Sequence, residues 1–208
     1  MSGWGFWLSL GLLGAYHGIN PAMGWLFAVA LGFQEQRARA VWWALFPIAL
    51  GHAIAIGGVV LAVLLLEVQI PLQTLRWTGA LILATFGTYR LIRTRHPRWV
   101  GMRVRFHDLV VWSAIMATAH GAGLMLIPWL IGPHVHRASA YAGIHTTSGH
   151  MGLGVVAVHT LGYFLTMGIV AWVVYTRVGV AVLRRMWINF DTLWALVLIA
   201  AGVVTVIL

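Results

Sequence analysis

Six runs of mainly apolar residues divide the chain: Trp4–Phe33, Trp42–Leu66, Gln73–Leu91, Leu109–Ile131, Gly152–Tyr175 and Trp187–Leu208. Crossing about 30 Å of hydrocarbon takes roughly 20 such residues, so each run is long enough for one span. In lipid the backbone has to satisfy its own hydrogen bonds, which predicts a helix for every run. The short alternating segments of a membrane barrel are missing from the sequence. The pattern therefore predicts an all-α membrane protein of six transmembrane helices, a single transmembrane domain over residues 1–208.

Composition strengthens this expectation. Of 208 residues, 61% are apolar and only 8% charged, whereas a soluble domain carries roughly a quarter charged residues. The expected surroundings are a lipid bilayer. The net charge of +9 comes entirely from Arg, and its placement is one-sided. Arg37 and Arg39 follow the first run. Arg90, Arg93, Arg95, Arg98, Arg103 and Arg105 follow the third, and Arg177, Arg184 and Arg185 the fifth. Only Arg76 and Arg137 lie on the other side. The positive-inside rule then puts those three loops in the cytoplasm and both termini outside, in a bacterial-type inner membrane. The first residues lack a basic leader pattern and read as the start of a retained helix. Basic loops on so apolar a chain point to anionic lipid rather than to nucleic acid. With no Lys and no Cys, a P-loop, a Schiff base and a thiolate site are all excluded. No nucleophile stands with a base at catalytic spacing, so the chain is not expected to be an enzyme.

The two halves, about 1–95 and about 106–208, resemble one another. Gly14-Ala-Tyr-His17-Gly18 is matched by Ala117-Thr-Ala-His120-Gly121, each followed by a Met, a Pro and a Trp: Met23, Pro21 and Trp25 in one, Met125, Pro128 and Trp129 in the other. Leu50-Gly-His52 has a counterpart in Val158-His159. Three helices per unit is an odd number, which forces the second unit to be inverted. Inverted repeats with interrupted helices characterise secondary transporters, whose site lies at the repeat interface.

His17, His52, His120 and His159 all fall deep in predicted spans, where an ionisable side chain is a functional candidate by default. Pro21 cannot donate to the carbonyl of His17, which predicts an interrupted helix with a freed carbonyl beside an imidazole. Asn20 and Met23 complete that candidate cradle. His159, Tyr163 and Met167 share one helical face and read as a packing stripe. The outer loop carries His134, His136, His145 and His150, a candidate capture loop for metal, although its spacing matches no tight zinc site. Glu35, Glu67, Asp108 and Asp191 lie near span ends. A hard-cation site therefore lacks its oxygens, and imidazole with thioether suits nickel, cobalt, zinc or copper.

The run His17-Gly-Ile-Asn20-Pro21-Ala22-Met23 resembles the helix signature of the nickel/cobalt permeases, His-Ala-Leu-Asp-Ala-Asp-His, and Leu50-Gly51-His52-Ala53-Ile54 resembles the Gly-His-Ser motif that follows it. Those permeases belong to the lysine-exporter superfamily, so the resemblance implies three-plus-three inverted helices and a metal site that includes His17 and His52. Asn20 and Ala22 stand where that family has its two Asp residues, and Met23 where it has the second His. This departs from a faithful nickel or cobalt site. The expected function is thus a permease or exporter for a transition-metal ion, with the ion as substrate and no cofactor fixed by these residues. A haem-binding or accessory subunit of a larger membrane complex, an exporter of another small solute, and a homo-oligomer are the alternatives the residues leave open.

Overall fold

The structure, a computed structural model, describes residues 3–67, 71–92, 105–130, 148–178 and 190–207. Every regular element among them is helical. Helix α1 (Gly3–Ile19) is followed by a 3-10 turn (Pro21–Met23) and α2 (Trp25–Glu35), then by α3 (Ala38–Glu67) and α4 (Leu72–Ile92). In the second half α5 (Phe106–Ala119) leads through a 3-10 turn (Leu124–Leu126) into the short α6 (Ile127–Leu130). Helix α7 (Ser148–Val173) ends in a π turn (Val174–Val178), and α8 covers Phe190–Ile207. Within the described residues, each apolar run of the sequence is thus a helix or a pair of helices.

Among the described residues, Ala38–Leu65 and His150–Val178 are long and apolar enough to cross a membrane, and Phe106–Ala119 with Leu124–Leu130 makes a third if this pair, bent by 53°, is one span. The outer faces are apolar. Leu8 and Leu12 of α1, Ile54 and Leu61 of α3, Leu81 of α4, and Leu161, Leu165 and Ile169 of α7 are all exposed. The interior holds His17, Asn20, His52, Ser113, His120 and His159. A soluble protein shows the opposite preference. A hydrocarbon surround tolerates exposed leucine and makes the interior the place for polar groups.

The helix over Trp4–Phe33 is interrupted, as Pro21 predicts, between Ile19 and Trp25, and the break repairs itself. Asn20 N–H donates to the His17 carbonyl at 3.2 Å. The carbonyl that Pro21 was expected to leave free is therefore bonded, because the chain tightens from an i+4 to an i+3 pattern. Ala22 N–H is capped by Asn20 Oδ1 at 3.0 Å, and the Ile19 carbonyl accepts the Trp25 indole N–H at 2.9 Å. Gly24 adopts φ 127°, a left-handed conformation that favours glycine, and Ile48 occupies the space its Cβ would need. The fourth run breaks in the corresponding place, just after His120-Gly121, with Gly121 at φ 70°.

Helix α1 packs on α7, α3 on α5, and α4 on α8. Backbones meet closely in each pair. A Cβ on Gly14 would strike the His159 carbonyl, one on Gly18 the Tyr163 carbonyl, and one on Gly162 the Gly11 carbonyl. Gly51 of α3 lies on the Val110 carbonyl of α5. Gly87 of α4 faces the Ala195 carbonyl, while Gly202 of α8 faces that of Ala80. Small residues are what permit such approach between apolar helices.

Gly14→Ala is expected to destabilise the protein by about 1–3 kcal/mol, because the added methyl meets backbone that cannot rotate away. Gly57→Ala on α3, whose Cβ meets nothing within 4 Å, is expected to be neutral or to stabilise by about 0.5–1 kcal/mol. Thermal unfolding of both variants in one detergent measures the contrast.

Candidate functional site: a buried imidazole cluster

Three of the four deep histidines meet. His17 lies in the last turn of α1, His52 midway along α3, and His159 in the first half of α7. All are fully buried. The His17 ring centroid lies 5.6 Å from that of His52 and 4.8 Å from that of His159. The His52 and His159 rings are 5.7 Å apart and almost parallel, at 12°. The glycine contacts explain the convergence: Gly14 seats α1 directly on the backbone of His159, one turn before His17.

Hydrogen bonding fixes one tautomer. His17 Nδ1 lies 2.8 Å from the Leu13 carbonyl. A carbonyl only accepts, so Nδ1 carries the hydrogen and Nε2 presents its lone pair. His120 repeats the arrangement at the second break, with Nδ1 2.8 Å from the Met116 carbonyl. His120 is buried and within electrostatic reach of His17. His52 and His159 differ. Neither of their ring nitrogens makes a hydrogen bond, although all four are shut off from solvent. A ring nitrogen of His159 is directed toward the Leu10 carbonyl without reaching hydrogen-bond geometry.

Tyr163, one turn beyond His159, closes one side. Its ring stacks on His52 with centroids 3.9 Å apart and planes at 17°. Its hydroxyl donates to the Met23 carbonyl in the break. Ser113 of α5 sits beside that hydroxyl and donates to the Ile48 carbonyl at 2.6 Å. Neither Tyr163 nor Ser113 was expected at the site. Tyr163 was legible only as part of a packing stripe, and its i+4 spacing from His159 was the one available signal. Met167, the third member of that stripe, is buried.

Asn20 and Met23 are each 2% exposed and sit in the break. Asn20 uses Oδ1 as a cap and leaves Nδ2 buried without a partner. Met23 joins the cluster through its carbonyl. His150 is exposed near the start of α7, away from the buried rings. His134, His136 and His145 lie outside the described residues. The four acids take the positions expected of them. Glu35 and Glu67 end α2 and α3, and Asp191 opens α8. Asp108 caps α5 by accepting the Arg105 N–H at 2.9 Å.

Three imidazoles around one ion with bonds of about 2.0–2.1 Å would place their centroids roughly 5 Å apart, close to the spacings found. Among the described residues, however, no three His, Asp or Glu side chains hold their donor atoms ready for a metal. The ring spacing is that of a shared ion, and the side chains as they stand do not form a site for one. No family model, curated protein or solved structure matches the chain.

Burying unpaired ring nitrogens costs about 1–3 kcal/mol per group. His52→Leu is therefore expected to leave unfolding stability unchanged or raised. A structural histidine would behave in the opposite way, and denaturation in detergent separates the two.

Proposed function

We propose that the chain is a small inner-membrane permease for a transition-metal ion, and that the ion passes through a site built from His17, His52 and His159, with His120 and Asn20 beside it. The observation that carries this reading is the meeting of three buried imidazoles from both halves of the chain next to a broken helix. A resting protein gains nothing from four ring nitrogens without partners, whereas a binding site needs them.

The framework we infer is six spans in two inverted halves with both termini outside. Numbering the helices of each half in order, the contacts join first to fifth, second to fourth and third to sixth. Exchanging the halves leaves that set of pairs unchanged, as a pseudo-two-fold axis requires. The His-Gly breaks and the matching bonds of His17 and His120 to the fourth carbonyl behind them obey the same exchange. His17 and His52 are also the two positions at which the chain resembles the nickel/cobalt permeases.

Helix α1 ends at the cluster and α5 ends at His120, and the C-terminal ends of helices attract cations. Neutral imidazoles suit zinc, nickel, cobalt or copper. With no carboxylate among them, they leave most of the ion's charge uncompensated. Binding is then weak enough for release, as conduction demands. Haem fits poorly, since a bis-imidazole haem needs an open slot between opposed rings. Here the three ring centroids form a near-even triangle, with separations of 5.6, 4.8 and 5.7 Å, an arrangement unlike two rings opposed across a slot.

His17→Ala and His52→Leu are expected to abolish calorimetrically detected binding of nickel(II) and zinc(II) to the purified protein. Metal accumulation by expressing cells should fall to the level of cells without the protein, at equal protein levels. Unchanged accumulation in both variants would end the metal-permease reading.

A further inference from the structure

Resting on the metal reading, we propose that Tyr163 is the positioning residue that couples occupancy of the imidazole cluster to the break in the first helix. It holds the break closed when the site is empty and lets go when His52 turns toward an ion.

The first break borrows a partner from another helix. Gly24 at φ 127° diverts the amide of Phe27 to its own carbonyl at 3.0 Å. In an unbroken helix that amide would serve Met23. The Met23 carbonyl is left to accept the Tyr163 hydroxyl instead, from a residue 140 positions away in sequence. At the second break local bonds do this work: Ala122 N–H reaches the Ala117 carbonyl at 2.9 Å, and Met125 N–H the Gly121 carbonyl at 3.1 Å. The asymmetry is visible in the side chains too. Four residues beyond His159 stands Tyr163, whereas four beyond His52, the matching position in the other half, stands Ile56. Both are completely buried, and only one can donate.

The phenol also bears on the site. Its ring lies flat on His52 at 3.9 Å, while its own backbone is held against α1, where Gly14 and Gly18 meet the Tyr163 amide and carbonyl. Among the described residues no three His, Asp or Glu side chains are placed to hold a metal ion, so binding needs rings to turn, and His52 is the ring whose turning reaches Tyr163. Rotation of a ring in flat contact displaces the phenol, and the phenol carries the hydrogen bond that ties Met23 to α7. One movement therefore forms the ion site and unfastens the hinge.

Hydrogen–deuterium exchange of the amides of residues 20–28, with and without nickel(II), tests this on the full-length purified protein. In the parent chain, nickel should speed exchange by about fivefold, the worth of one hydrogen bond. Tyr163→Phe keeps the stacked ring and loses the hydroxyl. Its exchange should already be fast without nickel and should not respond to it, while its nickel affinity rises by up to about fivefold, since binding no longer has to break that bond and no ligand is lost. Exchange in Tyr163→Phe that remains slow and nickel-responsive overturns the coupling and leaves the metal reading intact. Loss of nickel affinity in Tyr163→Phe assigns the phenol to the binding site itself and also overturns it. A parent chain that binds no nickel removes the metal reading, and the coupling with it.

Discussion

The contact between the backbones of α1 and α7 is the constraint from which the rest of the interior follows. Where Gly14 and Gly18 lie on the carbonyls of His159 and Tyr163, no side chain separates the two helices. Ring-bearing residues on either side of that line have to share the remaining volume. His17 and His159 end 4.8 Å apart for this reason, and His52 enters from α3 because Gly51 allows the same intimacy with α5. Larger residues at these glycines would move the helices apart by more than the reach of a shared ligand, whatever histidines were present.

The break in the first helix obeys a second rule, that buried backbone groups find partners. Five different devices serve it: a tightened turn, an Asn cap, an indole, a left-handed glycine and a phenol. Each comes from a residue whose role is invisible if the break is treated as a mere kink. Together they make the interruption a defined piece of structure. Its shape is set by residues in three helices and not by Pro21 alone.

This explains what could be read from the sequence. The helices were legible because unbroken apolar runs admit little else, and His17, His52, His120 and His159, placed well inside those runs, are buried within the fold. The first interruption was legible from Pro21, but not the fate of the His17 carbonyl, since nothing in a one-dimensional pattern shows that Asn20 N–H swings in to meet it. The second interruption has no proline at the break. Gly121 at φ 70° bends it, and a glycine in so glycine-rich a chain carries no signal. Which imidazoles touch was hidden for a related reason: it depends on the crossing of α1 over α7 and α3. Tyr163 was concealed by its own ambiguity, because an aromatic one turn from a histidine looks the same whether it fills space or grips a carbonyl.

The third helices of the two halves carry the same reciprocal glycine contact as α1 and α7. In α4 and α8, Gly87 and Gly202 each accept the backbone of the opposite helix, so two crossing points interlock at different heights. Two such teeth allow the pair neither to slide nor to roll without first being prised apart. Each of these two pairs therefore moves as one strut, and rearrangement falls on the interrupted segments that follow Ile19 and Ala119.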